Sequence, residues 1–460
     1  MAEIIDLDSA RPPPMGDGSV VTEAWVARQF ANEYGNRLAF CHSRGCWYEF
    51  DGSIWRAQEK PVAFHYTRQL AERMSANAKN RSSMQKSSFC KGVEAFARAD
   101  PIFASTATDW DKDLFLLGTP YGTVDLKTGE FRKAKPNDRI TKSVAISPDE
   151  IEDCSTWERF LMEATNNDAG LVRFLKQICG YALTGDISEQ SLFFIFGDGG
   201  NGKGVFLSVL QNIMADYSQV APMEALEKQK FSAHTTDLAM MMGARLVSAS
   251  ETVEGGAWNE TRIKNLTGGD KITARFMHKN NITFVPQLTL LVIGNSQPAL
   301  RTVDEAMRRR FNMIPFVVKP VRKDKHLAAK LQLEWPGILR WMINGCLDWQ
   351  ENGFVRPESV IVETARYFTE QDTFGEWMET CCDRDMGNIH LTQRSSTMFE
   401  SWAKFARSSG MEPGDAKTFK GAMRRAGHKD RRFADGVHYL NIKLKGEHFE
   451  RDDGDPFAGR

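Results

Sequence analysis

The chain has 460 residues, enough for about three domains of ordinary size and for cores that need neither disulfide nor metal. Hydrophobic residues make up 42% and charged ones 26%, which excludes a largely disordered or collagen-like chain, and no apolar run nears the roughly 18 residues of a membrane helix. Lys plus Arg number 59 against 60 Asp plus Glu, so the net charge of -1 carries no nucleic-acid signal and any basic surface has to be local.

The first residues are acidic and then proline-rich, without the basic and apolar regions of a secretory signal; a flexible leader is expected. From Val20 to about Asp100 the pattern is helical, broken by an aromatic hairpin from Cys46 to Trp55 that turns at Asp51-Gly52. A second β-rich stretch runs from Leu114 to Ile146. Both read as core-forming, with their aromatics in packing roles. Cys41 and Cys46 are close enough to begin a zinc site, but nothing after them completes four ligands, so the eight cysteines read as reduced thiols.

From Ile151 the texture changes. Trp157, Phe160, Leu161, Leu171, Phe174, Leu175 and Ile178 fall at helical spacing, and short apolar runs then recur at Ser191–Phe196, Arg245–Ala249, Leu288–Gly294 and Phe311–Val318. Strands of this kind alternating with helices predict an α/β core with a mostly parallel sheet covered on both faces. The expected divisions are 1–150 for a mixed α+β region, 151–353 for the α/β core, and 354–460 for a C-terminal unit and tail.

The strongest motif is Gly197-Asp198-Gly199-Gly200-Asn201-Gly202-Lys203-Gly204, set between an apolar strand and a helix. This is the G-x-x-x-x-G-K arrangement of a phosphate-binding loop: glycines let backbone N–H groups wrap a phosphate, and Lys203 reaches the β and γ phosphates. Gly204 stands where a Ser or Thr would normally hold Mg²⁺. After the loop, the strand Arg245–Ser250 leads to Glu251, a carboxylate suited to organising Mg²⁺ and polarising an attacking water, with Glu254 as second choice. A third strand delivers Asn295 at the edge where ligands bind in such sheets, placed to orient water against a γ-phosphate. Arg308-Arg309-Arg310 then precede a buried strand, either as a solvated edge or as an arginine finger for a neighbouring subunit.

In order and spacing, GDGGNGKGVF, GARLVSASETVEG, LTGGDKITARFMHKNNITFVPQ, LLVIGNSQP and DEAMRRRFNMIPF resemble the superfamily 3 helicases, of the phage and plasmid replication protein and poxvirus-type primase-helicase kind. YGTVDLKTGEF before these motifs and WPGILRWMINGCLDW after them resemble the family's flanking regions. The resemblance implies an AAA+ P-loop ATPase that binds ATP and Mg²⁺ and works as a ring, usually a hexamer, on single-stranded DNA during replication. It makes Lys203 the phosphate ligand, Glu251 the Walker B carboxylate, Asn295 the sensor and Arg310 the finger, with Arg309 as the other choice. Gly204 and Ser250 depart from other branches of the superfamily, which have a hydroxyl and an acidic residue there.

The segment from Ile272 to Phe284 alternates around Lys279-Asn280-Asn281, a hairpin with a basic tip; in a ring, Lys279 and then His278 would grip the DNA backbone. Near the C-terminus, Ser395–Ser408 and Asp415–Ala426 look helical and a hairpin turns at Asp435-Gly436, the order of a winged helix. Eleven Lys and Arg against four Asp and Glu between Lys404 and Lys445 give a local +7, and Lys417, Lys420, Arg424 and Arg425 are the expected DNA contacts.

The expected function is an ATP-dependent DNA helicase of a phage, plasmid or mobile element, acting on single-stranded and forked DNA in a bacterial cytoplasm or nucleoid. No membrane partner is expected. The N-terminal 150 residues lack clustered paired carboxylates, so any priming is expected from a separate primase or replisome protein. Two alternatives stand beside this: an origin-binding initiator that assembles with ATP but does not unwind, and a P-loop small-molecule kinase.

Overall fold

The structure is a computed structural model and describes residues 19–228, 236–250, 256–277, 280–300, 304–320, 324–388, 390–409 and 413–446. The expected leader and the end of the tail lie outside these residues. The chain divides into two compact units, one of Met1–Pro298 with Arg310–Ile361, the other of Ala299–Arg309 with Val362–Arg460.

In the larger unit, the N-terminal region is mixed α+β. Thr22 caps the helix Glu23–Tyr34 by accepting from the Trp25 N–H, which satisfies one of the donors every helix start leaves open. Strands Leu38–Cys41, Cys46–Phe50 and Trp55–Ala57 form an antiparallel ladder, and Ala104–Ser105 adds in parallel beside the first. The Asp51 carboxylate accepts from the Ser53 and Ile54 N–H groups and so shapes the predicted turn. Trp47, Tyr48 and Trp55 are all buried, as a packing role for the hairpin requires. Cys41 and Cys46 face each other across the ladder, and all eight cysteines are free thiols.

A three-stranded meander, Leu116–Thr119, Gly122–Asp125 and Glu130–Arg132, leads into the α/β core. Two helices follow, α1 (Ser155–Ala164) and α2 (Ala169–Ala182). Then come β1 (Leu192–Phe196), α3 (Lys203–Met214), β2 (Ser218–Val220), β3 (Leu246–Ala249), β4 (Thr289–Gly294), β5 (Phe311–Pro315) and α4 (Trp335–Asn352). The five strands are all parallel, in the order β5-β1-β4-β3-β2. Every residue of β1, β3 and β4 is buried, which explains their mainly apolar sequences: both faces of the sheet are covered and neither is left to solvent. Burying a side chain of the Leu, Ile or Phe type contributes roughly 1.5–3 kcal/mol, so this sheet is the main source of cohesion. Strand β2 was not legible in the sequence; its Ser-Gln-Val is short, polar and partly exposed.

The boundary expected at residue 150 does not divide the compact units. Arg245 is buried just ahead of β3 and donates to the Leu183 and Leu116 carbonyls, with its guanidinium 4.4 Å above the Tyr217 ring. The Tyr217 hydroxyl accepts from the Gly118 N–H and donates to the Lys142 carbonyl, so the meander is bonded to the sheet. At the other end, Ser359 donates to Asp168 and Val360 joins the core, which keeps 354–361 with this unit. No helix among the described residues is long and apolar enough to cross a membrane.

The smaller unit has a core of Trp377, Met398, Trp402, Phe419, Met423, Tyr439 and Ile442. Helices Ser395–Ser408 and Ala416–Arg425 precede the hairpin Asp430–Phe433 and Gly436–Leu440, and Thr392–Arg394 pairs on the hairpin's other side. Strands Cys382–Arg384 and Ile442–Leu444 form a further antiparallel pair. Helix, helix and hairpin therefore follow the predicted order.

Helices α2 and α4 meet through glycine. A Cβ at Gly180 would collide with the backbone of Met342, Gly345 and Cys346, whereas one at Gly204 would meet nothing within 4 Å. Gly180→Ala is expected to lower stability by about 1–3 kcal/mol through overpacking against rigid backbone, and Gly204→Ala to leave it unchanged; urea denaturation midpoints of the two variants check this.

Candidate functional site

The phosphate-loop motif leaves the C-terminal end of β1 and enters α3. Gly197, Gly200 and Gly202 take φ of 145°, 84° and 93°, a region open to glycine and costly for other residues. At Gly197 and Gly202 the space is also full: a Cβ would strike the Phe316 carbonyl at the first and the Phe160 ring at the second. The Asn201 amide donates to the Phe316 carbonyl, which ties the loop to the end of β5.

Lys203 is 6% exposed, and four oxygens surround its ammonium. They are the carbonyls of Gly197 at 2.5 Å and Asp198 at 3.1 Å, Asn201 Oδ1 at 3.1 Å and Asn295 Oδ1 at 3.2 Å. Asn295 reaches it because β4 pairs directly with β1, Gly294 against Phe196. Burial pushes the Lys203 pKa below the ordinary lysine value; Asp198 acts against this and Lys319 with it. Lys319, beyond β5, forms an ion pair with the Asp198 carboxylate at 3.3 Å.

A cavity of about 1100 Å³ opens over the loop. Lys203, Asn295 and Lys319 line it, together with Arg159, Phe160 and Glu163 of α1. A concave site of this size, with polar groups converging at one end, has the character of a small-molecule pocket.

Several predicted residues fall elsewhere. Glu251, Glu254, His278 and Lys279 lie outside the described residues. What precedes the two glutamates is clear: β3 ends at Ala249, and the buried Ser248 hydroxyl accepts from Gln211 of α3. The two arms of the expected hairpin do pair, Ile272–Arg275 with Asn281–Phe284, with Ile272 and Ala274 buried and Thr273 and Arg275 exposed.

Arg310 faces inward. It is 5% exposed, and its guanidinium donates to Thr267 Oγ1 at 3.0 Å and Gln190 Oε1 at 3.1 Å of the same chain. Arg309, the C-cap of the short helix Glu305–Arg308, is exposed. Three arginines in a row carry no local signal that separates the inward residue from the outward ones.

The four cations expected on the C-terminal helix are not equivalent. Lys420 and Arg424 both bind Asp430, at 2.8 and 3.0 Å, while Lys417 is exposed. The side chain of Arg425 lies outside the described ones. Sequence reasoning passed over the neighbouring hairpin, where Arg431, Arg432 and Phe433 are exposed and the Arg431 guanidinium lies 5.7 Å from the Phe433 ring. Three residues of this kind running into a tight turn were the available signal.

Comparison with known proteins bears on both parts of the larger unit. Residues 27–166 match the family model described as D5 N terminal like, and residues 195–310 match a family of unknown function, DUF5906. The chain is 25% identical over 292 residues to a helicase-named protein of Acanthamoeba polyphaga mimivirus, covering 58% of this chain and 30% of that one. It is 24% identical over 260 residues to a helicase-named protein of Frog virus 3, covering 51% and 26%. A helicase-named protein of the Sputnik virophage is 24% identical over 210 residues, covering 41% and 27%. The chain thus spans less than a third of the length of these relatives. Among solved structures, the C-terminal region of NrS-1 aligns with a TM-score of 0.48 and 9% identity, over 92% of this chain and 100% of that one.

The opposite placements of the two arginines can be measured. Arg310→Ala removes the charged partner of Thr267 and Gln190 and is expected to cost about 1.5–3 kcal/mol of stability. Arg309→Ala, at an exposed position, is expected to stay within about 0.5 kcal/mol of the parent. Denaturant melts of the two variants decide it, and equal losses would remove the distinction.

Proposed function

Because the chain belongs to the D5-like primase-helicase family, we propose that it is an ATP-dependent DNA helicase that unwinds forks by moving along single-stranded DNA during replication. The observation that carries this reading is the meeting of Lys203 and Asn295 at the cavity floor, where a phosphate-loop lysine and a polar amide from the adjacent strand face one space. The β5-β1-β4-β3-β2 order supports an AAA+ core, since it sets β4 between the loop strand and the strand leading to Glu251.

The residues present fit a nucleoside triphosphate. Glycines bring the backbone close, α3 directs its N-terminus at the loop, and Lys203 supplies a positive charge that burial makes receptive to phosphate oxygens. ATP with Mg²⁺ supplies the phosphoryl bond whose hydrolysis powers movement. Lys203 exchanges its loop carbonyls for β and γ phosphate oxygens, and Asn295 orients the attacking water. Glu251 takes that water's proton and helps hold Mg²⁺, a task Gly204 leaves to carboxylate and water because it has no hydroxyl. Arg309 enters the site of the next subunit in a hexameric ring and stabilises charge on the transferred group.

DNA contact divides between two places. Lys279 and His278, at the tip of the Ile272–Phe284 hairpin, grip the translocating strand. The C-terminal unit, read as a winged helix, docks the fork through Lys417, Lys420, Arg424, Arg425 and the hairpin arginines.

The decisive experiment is ATP hydrolysis with and without single-stranded DNA, beside strand displacement on a forked duplex. Lys203→Ala is expected to abolish both activities, and Glu251→Gln to bind ATP without turning it over. Hydrolysis at the parental rate in Lys203→Ala would sink the reading. ATP-dependent assembly without strand displacement would favour the initiator, and ATPase indifferent to DNA would favour the kinase.

Asp430 offers a second test, because it neutralises two of the docking cations. Asp430→Asn is expected to tighten fork binding and steepen its salt dependence by up to about 0.9 log unit for each further phosphate neutralised. An unchanged slope by fluorescence anisotropy would remove Lys420 and Arg424 from the DNA surface.

A further inference from the structure

Among the described residues, two lysines line the cavity beside the phosphate loop, and only Lys203 has a role in the motif. Lys319 lies three residues beyond Phe316, whose carbonyl is bonded to Asn201 of the loop, so the segment bearing Lys319 is anchored to the phosphate-binding backbone. Its ammonium bonds to the Asp198 carboxylate at 3.3 Å, with side-chain exposures of 57% and 86%. An exposed pair of this length holds its partners weakly and is readily exchanged for a stronger anion.

Asp198 puts a carboxylate in the second position of the loop. A carboxylate in the second position of a phosphate loop adds negative charge where the ligand is negative, and the lysine beside it cancels that charge. Gly204 sharpens the need for a second cation, because no hydroxyl at that position helps a metal ion offset the phosphates. Lys319 is close enough to Lys203 to disfavour the buried ammonium's charge, and phosphate oxygens between the two side chains would relieve that.

We propose that Lys319 is a second phosphate-binding lysine of this site and that Asp198 holds it at the cavity mouth until the phosphates of a nucleoside triphosphate take it over. The inference rests on the nucleotide-site reading above and adds a residue and an exchange that the phosphate-loop motif does not contain. Lys319 would act on the terminal phosphates, so its loss should weaken a triphosphate more than a diphosphate.

The test is calorimetric binding of ATPγS and of ADP, with Mg²⁺, to the full chain. Lys319→Ala is expected to weaken ATPγS about tenfold, the scale of one charge-assisted contact, and ADP by less. Asp198→Asn is expected to tighten ATPγS several-fold, and that gain should vanish in the Asp198→Asn, Lys319→Ala double variant. A purely structural ion pair predicts that both single variants weaken binding alike; that result, or parental affinity in Lys319→Ala, overturns the proposal. A gain persisting in the double variant means that Asp198 acts by repulsion alone, and overturns its holding role. Lys203→Ala separates the two readings. If it loses ATPγS while Lys319→Ala keeps it, the nucleotide site stands and Lys319 is idle; if the parent binds no ATPγS, both fall. Both Lys319 and Asp198 are exposed, so thermal midpoints of their variants should match the parent.

Discussion

An ammonium group buried at the end of a parallel sheet has to be answered by oxygens, and this requirement organises the larger unit. Lys203 opens α3 at 6% exposure, and three of its four oxygen neighbours come from its own loop. The fourth, Asn295 Oδ1, belongs to a segment ninety-two residues away in sequence. It arrives only because β4 is hydrogen-bonded along the whole of β1. A one-residue slip of that pairing would turn Asn295 to the other face of the sheet and leave a buried charge short of a partner.

The loop's shape depends on neighbours that are not part of the motif. Phe316 accepts from Asn201, and the Phe160 ring fills the space beside Gly202. The Phe160 neighbour Trp157 stacks on Phe206 of α3 at an interplanar angle of 10°. A loop that must present N–H groups to an anion is thus fixed from below by α1 and from the side by β5, so little ordering remains when a ligand binds. The same region is bonded to the N-terminal meander through Arg245 and Tyr217, buried groups that would be costly to leave unpaired. The N-terminal region is therefore part of the core's support.

In the smaller unit, electrostatics are set by pairing more than by number. The local excess of +7 put Lys417, Lys420, Arg424 and Arg425 together as one expected set. Asp430 draws Lys420 and Arg424 together at its end of the hairpin, and these two cations hold its carboxyl below the usual carboxylate range. Lys417 and the Arg431-Arg432-Phe433 run are exposed as well, with the Phe433 ring between the Arg431 guanidinium and the His438 imidazole. A simple count of charges describes a uniform face and does not show this pairing.

Much of the architecture was legible from residue patterns. Four of the five core strands were read from mainly apolar runs, whose burial follows from their place inside the sheet, and Gly197, Gly200 and Gly202 of the loop stand where φ is positive. Both kinds of signal are local, so one chain is enough to read them. The C-terminal helices were equally plain, since amphipathic spacing is also local. Tertiary structure alone decided which of two adjacent arginines turns inward, since Arg310 is claimed by Thr267 and Gln190, residues distant in the chain. It also decided that β2 joins the sheet despite its polar sequence, that Asp430 neutralises two expected DNA contacts, and that Lys319 stands beside Asp198. Each of these depends on which strands become neighbours, and strand adjacency is settled by the packing of the whole sheet, which no window of sequence contains.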